Sequence, residues 1–255
     1  MNPTQLNLPD LLSKHRDPQT MATKAMPHIV RQLDAENGSL LLLCGDCVVH
    51  KVLANRETFT EVVEHKLRTV LSDGMAGWAL RHRQGALASE TALDERWVSM
   101  GVPSVESALV VPLKSRSVVV GLLSLHHSER GFFRESHLER AAALAQLIAP
   151  HFDIALMVES ATTTLLELSR ADVNPSVVVD WEGNIRGVNP PMQALDIAWE
   201  DAHFSQSLLQ RELNVSAIGE CQWEGVRQLA TLPWGAKVTA LHGVGAWIQL
   251  HANGV

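Results

Sequence analysis

The chain has 255 residues, 21 lysines and arginines against 28 aspartates and glutamates, a formal net charge of −7, and a 46% hydrophobic composition. That length sets two domains as the prior, and an acidic chain whose longest basic cluster is Arg81-His82-Arg83 is excluded from nucleic-acid binding, which needs concentrated positive charge to displace counterions. No apolar run approaches the ~20 residues of a membrane span and residues 2–10 lack the basic start and apolar block of a signal peptide, so a cytoplasmic protein with no membrane partner is expected.

Residues 1–16 carry two prolines and no sustained period, and read as a loosely attached arm. Asp17-Pro18 then opens a helix, with Asp as the cap and Pro at the first helical position. Met21, Ala25, Ile29 and Leu33 form its apolar stripe, Pro27 interrupts it, and Asn37-Gly38 is a stop signal. Residues 40–43 and 48–53 read as strands on either side of Cys44-Gly45-Asp46-Cys47. Three cysteines cannot close into pairs, so no disulfide framework is expected. The C-x-x-C pair has two readings: a hairpin turn flanked by two thiols, or a metal-binding or cycling dithiol. A tetrahedral zinc site would need a second pair of ligands, and His50 is the one nearby candidate.

Further on come Leu71-Ser72-Asp73-Gly74-Met75-Ala76-Gly77-Trp78-Ala79-Leu80 and Leu93-Asp94-Glu95-Arg96-Trp97. Two β-branched runs follow, 108–113 and 118–125, around the polar turn Lys114-Ser115-Arg116-Ser117. They read as an antiparallel hairpin, and because nearly every residue is apolar, both of its faces need cover. Leu138, Ala141, Ala142, Ala145 and Ile148 recur at helical spacing and supply part of that cover, with Glu135 near the positive end of the helix. His126 and His127 end the second strand, so their side chains should leave on opposite faces.

The ordered set V-P-L, a basic turn, V-x-G-L-L-S-L-H, Phe132-Phe133 and the Leu/Ala helix resembles the C-terminal half of a GAF domain, and residues 71–97 look like the centre of the same family. The resemblance implies an antiparallel sheet with helices, a homodimer through the first and last helices, and a cavity between residues 74–97 and the hairpin. Trp78, Arg81, Asp94, Trp97 and Ser107, joined by His126, are expected around a small-molecule ligand there. The other reading of that space is a collapsed pocket filled by the two tryptophans. Free-methionine sulfoxide reductases of this family carry a cysteine where this chain has Ala76, and without a thiolate the sulfoxide has no nucleophile. A bilin-type anchor is similarly missing at Ala92-Leu93, the set of residues that marks cyclic-nucleotide binding is not present, and no cofactor is expected.

The helix from Glu135 reads as continuing to Arg170 past Pro150, about 50 Å at 1.5 Å per residue, with a broken stripe of Leu147, Ile154, Met157 or Val158, Leu165 and Leu168. Residues 174–189, a strand, a D-x-x-G-N turn, a strand and Asn-Pro before a helix, resemble the opening of a PAS domain. Runs 219–229, 237–241 and 246–251 read as three more strands beyond a helical insert over 198–213. The expected organisation is α+β: arm 1–16, GAF domain 17–152, linker helix 153–170 and a smaller PAS-like domain 171–255. No nucleotide-binding, phosphoacceptor or DNA-binding signature accompanies them. The expected function is therefore a non-enzymatic sensor of a bacterial signalling system that binds a small molecule or a protein partner as a homodimer, either as part of a longer protein or by direct partner binding. The alternative is a redox enzyme or a metal or thiol sensor using Cys44 and Cys47.

Overall fold

The computed structural model describes residues 7–45, 47–54, 61–99, 105–180, 184–195, 225–228, 234–241 and 245–252. They fall into two compact units, Met1–Leu156 and Met157–Val255.

The first unit begins with α1 (Leu8–Leu12) and α2 (Pro18–Gln32). Far from hanging loose, α1 buries Leu8 and Leu12 in the same cluster as Met21, Ala25 and Ile29 of α2. Five residues are too few to show a period, which is why the sequence reads as an arm. The Asp17 carboxylate accepts from the Thr20 amide at 2.6 Å, capping α2 as expected, and the helix runs through Pro27. It stops earlier than Asn37-Gly38, because Asp34 turns left-handed at φ 55°. Asn37 and Gly38 instead open β1 (Asn37–Cys44) opposite His126 and Leu125.

Strands β1, β2 (Cys47–Leu53), β3 (Ala86–Ala88), β4 (Ser107–Ser115) and β5 (Val118–His127) form one antiparallel sheet in the order β2-β1-β5-β4-β3. Both faces are covered, as the apolar hairpin requires. Leu40, Leu42, Leu109, Val111 and Leu113 pack with α2 and with α5 (Glu135–Ala171), while Leu41, Leu43, Val110 and Leu122 pack with α3 (Glu61–Ser72) and α4 (Met75–His82). The alternation along β1 and β4 follows from successive side chains leaving on opposite faces. Each fully buried leucine contributes about 1.5–3 kcal/mol, so the two layers together dominate the stability of this unit. Gly77 lies inside α4, where a Cβ would stand 2.1 Å from the Leu71 carbonyl oxygen. Only glycine lets α3 and α4 cross this closely.

Helix α5 is unbroken over 37 residues despite Pro150. Ala141, Ala145, Ile148, Ala149 and Phe152 are buried on the sheet side, and the buried Asp153 carboxylate accepts from the Ser115 hydroxyl at 2.7 Å, tying the β4–β5 turn to the helix. By length and composition alone α5 could cross a membrane, but half of its most apolar stretch is buried within the chain.

The second unit holds β6 (Ser176–Val179), β7 (Ile185–Val188), α6 (Pro190–Gln193), β8 (Gly225–Gln228), β9 (Trp234–Leu241) and β10 (Gly245–Ala252). Its sheet order, β7-β6-β10-β9-β8, repeats the connectivity of the first sheet. Asn189 organises the entrance. Its Oδ1 accepts from the amides of Ser176 at 2.8 Å and Met192 at 3.0 Å, and its Nδ2 donates to the carbonyls of Ser169 at 3.0 Å and Asn174 at 2.7 Å. One buried amide thus joins the last turn of α5 to β6 and caps α6. The expected insert 198–213 and residues 219–224 and 229 of the strand expected there lie outside the described residues.

Candidate functional site

The turn after β3 and the stretch that follows it are built around one ion pair. Asp94 accepts from Arg96 Nε at 2.9 Å and Nη2 at 2.7 Å, a bidentate arrangement, and its Oδ1 also takes the Arg96 amide at 2.9 Å. The paired guanidinium holds the Asp94 carboxyl below its ordinary range, mainly through the side-chain hydrogen bond, and raises Arg96 in turn. Arg96 also donates to the Leu87 carbonyl at 3.3 Å and lies 4.9 Å from the centre of the Trp78 ring, on which His82 stacks at 4.4 Å. An open groove of about 520 Å³ runs along this structure, lined by Leu87–Glu90 and Leu93–Arg96. Leu93, 77% exposed, stands at its edge.

Trp97 turns inward beside this groove and meets His126 edge-on, ring centres 5.7 Å apart at 84°. His126 leaves β5 on the face covered by α3 and α4, whereas His127 leaves on the other face, stacked on Phe132 at 3.5 Å. Burial alone pushes the His126 imidazole down from 6.5 to about 4. The unfolded chain therefore binds a proton between those values that the folded chain does not. Stability from this residue is fully present above about 6.5 and is lost as pH falls towards about 4. The expected loss is ~2–3 kcal/mol, and His126→Leu should flatten it; urea titrations at stepped pH read both.

Of the six expected site residues, then, Asp94 lines the groove, Trp78 is joined to it through Arg96, and Trp97 and His126 stand side by side. Two do not belong. Arg81 is exposed on α4 and donates to the Ser72 carbonyl at the end of α3, closing a helix terminus. Ser107 is buried on the opposite face of the sheet, because it shares the parity of Leu109 and Val111. Its hydroxyl donates to the Ala88 carbonyl at 3.3 Å and accepts from the Phe133 amide at 3.1 Å, a scaffold role. Arg96 was missed; its signal was the D-x-R spacing, which lets one side chain close back on the other.

Among the described lining residues of the groove the one hydroxyl, of Ser89, donates to the Phe133 carbonyl at 3.1 Å, and no thiol or imidazole lies among them. Ala76 is buried in the core between α4 and the sheet.

Residues 17–151 match the family model described as GAF domain, a little over half of the chain. The chain belongs to the GAF family. Its first unit is thus a GAF domain, a module that senses small molecules or proteins. No curated protein matches the chain. Among solved structures, the GAF domain of a phosphoenolpyruvate-protein phosphotransferase from Coxiella burnetii is similar at 13% identity and TM-score 0.48, covering 60% of this chain and 92% of that one. A type II free methionine-R-sulfoxide reductase from Thermoplasma acidophilum is similar at 15% identity and TM-score 0.44, covering 56% and 95%. The second GAF domain of DevS from Mycobacterium smegmatis is similar at 18% identity and TM-score 0.41, covering 57% and 99%.

Proposed function

We propose that this chain is a non-enzymatic sensor of a bacterial signalling system. A small molecule bound by the GAF domain alters α5, and α5 carries the change to a PAS-like second domain within a homodimer. The single observation that carries the reading is α5 itself, one unbroken helix that begins under the GAF sheet and ends on the Asn189 knot of the second unit. The PAS-like assignment of residues 171–255 draws support from the five-stranded antiparallel sheet and from the Asp180 carboxylate, which accepts from the Asn184 amide at 2.8 Å.

The dimer reading draws on the outer side of the same helix. Leu147, Ile154 and Leu168 are 51%, 60% and 56% exposed at spacings of whole heptads, with Met157 beside them, and a stripe of this spacing on a long helix suits packing against a second copy of it. The ligand side rests on the aromatic Trp97–His126 pair and the neighbouring groove, whose apolar Leu87, Ala88 and Leu93 stand beside the Asp94–Arg96 pair as polar anchors. Light scattering on the whole chain tests the reading, with a dimer at micromolar concentration expected. The chain is also expected to leave free methionine sulfoxide unchanged, since Ala76 offers no nucleophile. Turnover that disappears in Cys44→Ser or Cys47→Ser would count against a purely binding role.

A further inference from the structure

Cys44 ends β1 and Cys47 begins β2, and they are register partners, the pair that flanks the turn. Both thiols are exposed and free. Gly45, at φ 59°, takes the left-handed conformation that a two-residue hairpin turn demands at its first position. A turn of this kind calls for glycine at that position. It does not need cysteine on either side, and an exposed cysteine pair is unexpected for a residue type that is among the most often buried.

Register partners project to the same face with Cβ atoms about 4.5–5.5 Å apart, and a disulfide needs about 3.5–4.5 Å. Closing the bond therefore draws the two strand ends together by about 1 Å. The hairpin has room to do so, because the register between β1 and β2 shifts after Leu42, where Val49 is left over, and a bulge lets a ribbon twist. Being half exposed, Val49 offers little packing resistance. This tip is also remote from the groove: β1 meets His126 at Asn37, its opposite end.

We propose that Cys44 and Cys47 form a dithiol–disulfide site that takes oxidising equivalents from a peroxide. One thiolate attacks a peroxide oxygen and becomes a sulfenic acid, releasing water once a proton is taken up. The second thiolate then attacks the sulfenic sulfur and releases a second water. In sum, two thiols and one hydrogen peroxide give one disulfide and two waters. A low-molecular-weight thiol reverses the change through a mixed disulfide, itself leaving as its own disulfide. The short ring adds little loop-closure entropy and the strained Cβ geometry favours opening, so this is a labile bond suited to signalling. It acts on the same domain as the ligand reading above but stands independently of it.

The test uses the whole chain with Cys221→Ser, so that only this pair can react. After stoichiometric hydrogen peroxide, the tryptic peptide 32–51, which contains both cysteines, should be lighter by two hydrogens, resist alkylation and recover on addition of reduced glutathione. In the folded chain closure should be roughly 10-fold faster than in a synthetic peptide 32–51, because the register holds the sulfurs near each other. With Cys47→Ser added, Cys44 should accumulate sulfenic and sulfinic acids and no disulfide. Thiols that stay alkylatable, separate oxidation of each sulfur, a bond between two chains, or equal rates in chain and peptide would each overturn the proposal.

Discussion

Phe152→Ala is expected to destabilise the GAF domain by about 3–5 kcal/mol, the range for deleting a buried aromatic side chain and leaving its cavity. Phe152 is fully buried on the sheet side of α5, in the cluster that also holds Met21, Ile29, Leu113 and Leu123. Its neighbours come from two helices and the sheet, so no single element can relax into the space. Against a total of 5–15 kcal/mol for an ordinary domain the loss is large. Amide exchange along β4 and β5 reads it directly, since those strands should then exchange through much cheaper opening. Leu168→Ala, on the exposed side of the same helix, should stay within about 0.5 kcal/mol in the monomer.

Ile154→Asp should weaken self-association by roughly 100-fold or more, the consequence of burying an unpaired carboxylate in an apolar seam. Within one chain Ile154 is 60% exposed, so its loss barely touches the fold of the monomer. The two outcomes separate cleanly: unchanged unfolding with a shift from dimer to monomer in light scattering fits a helix-mediated dimer. A shift in unfolding alone would assign Ile154 to intramolecular packing instead.

Much of this architecture is legible in the chain, and the parts that are not have identifiable causes. The 107–127 hairpin and α5 stand out because each must be apolar in a pattern that only one structure satisfies. Helix α1 and strand β3 do not stand out, since five and three residues are too few for a period to repeat. Ser107 departs from the expected pocket because its neighbourhood in sequence points there while its parity on the strand points to α5, and parity outranks proximity in a sheet. Arg96 was hidden for a different reason: its partner is two residues away, and an ion pair so local looks like an ordinary charged loop until the guanidinium is seen against Trp78.

Native mass spectrometry of the chain purified from its own host tests the sensor reading most directly. The account predicts a homodimer of the 28.0 kDa chain with a small molecule held on each subunit, and loss of that molecule in the Trp97→Ala, His126→Leu double variant while the dimer persists. Polypeptide masses with no bound molecule, or a molecule that the double variant retains in full, would contradict it.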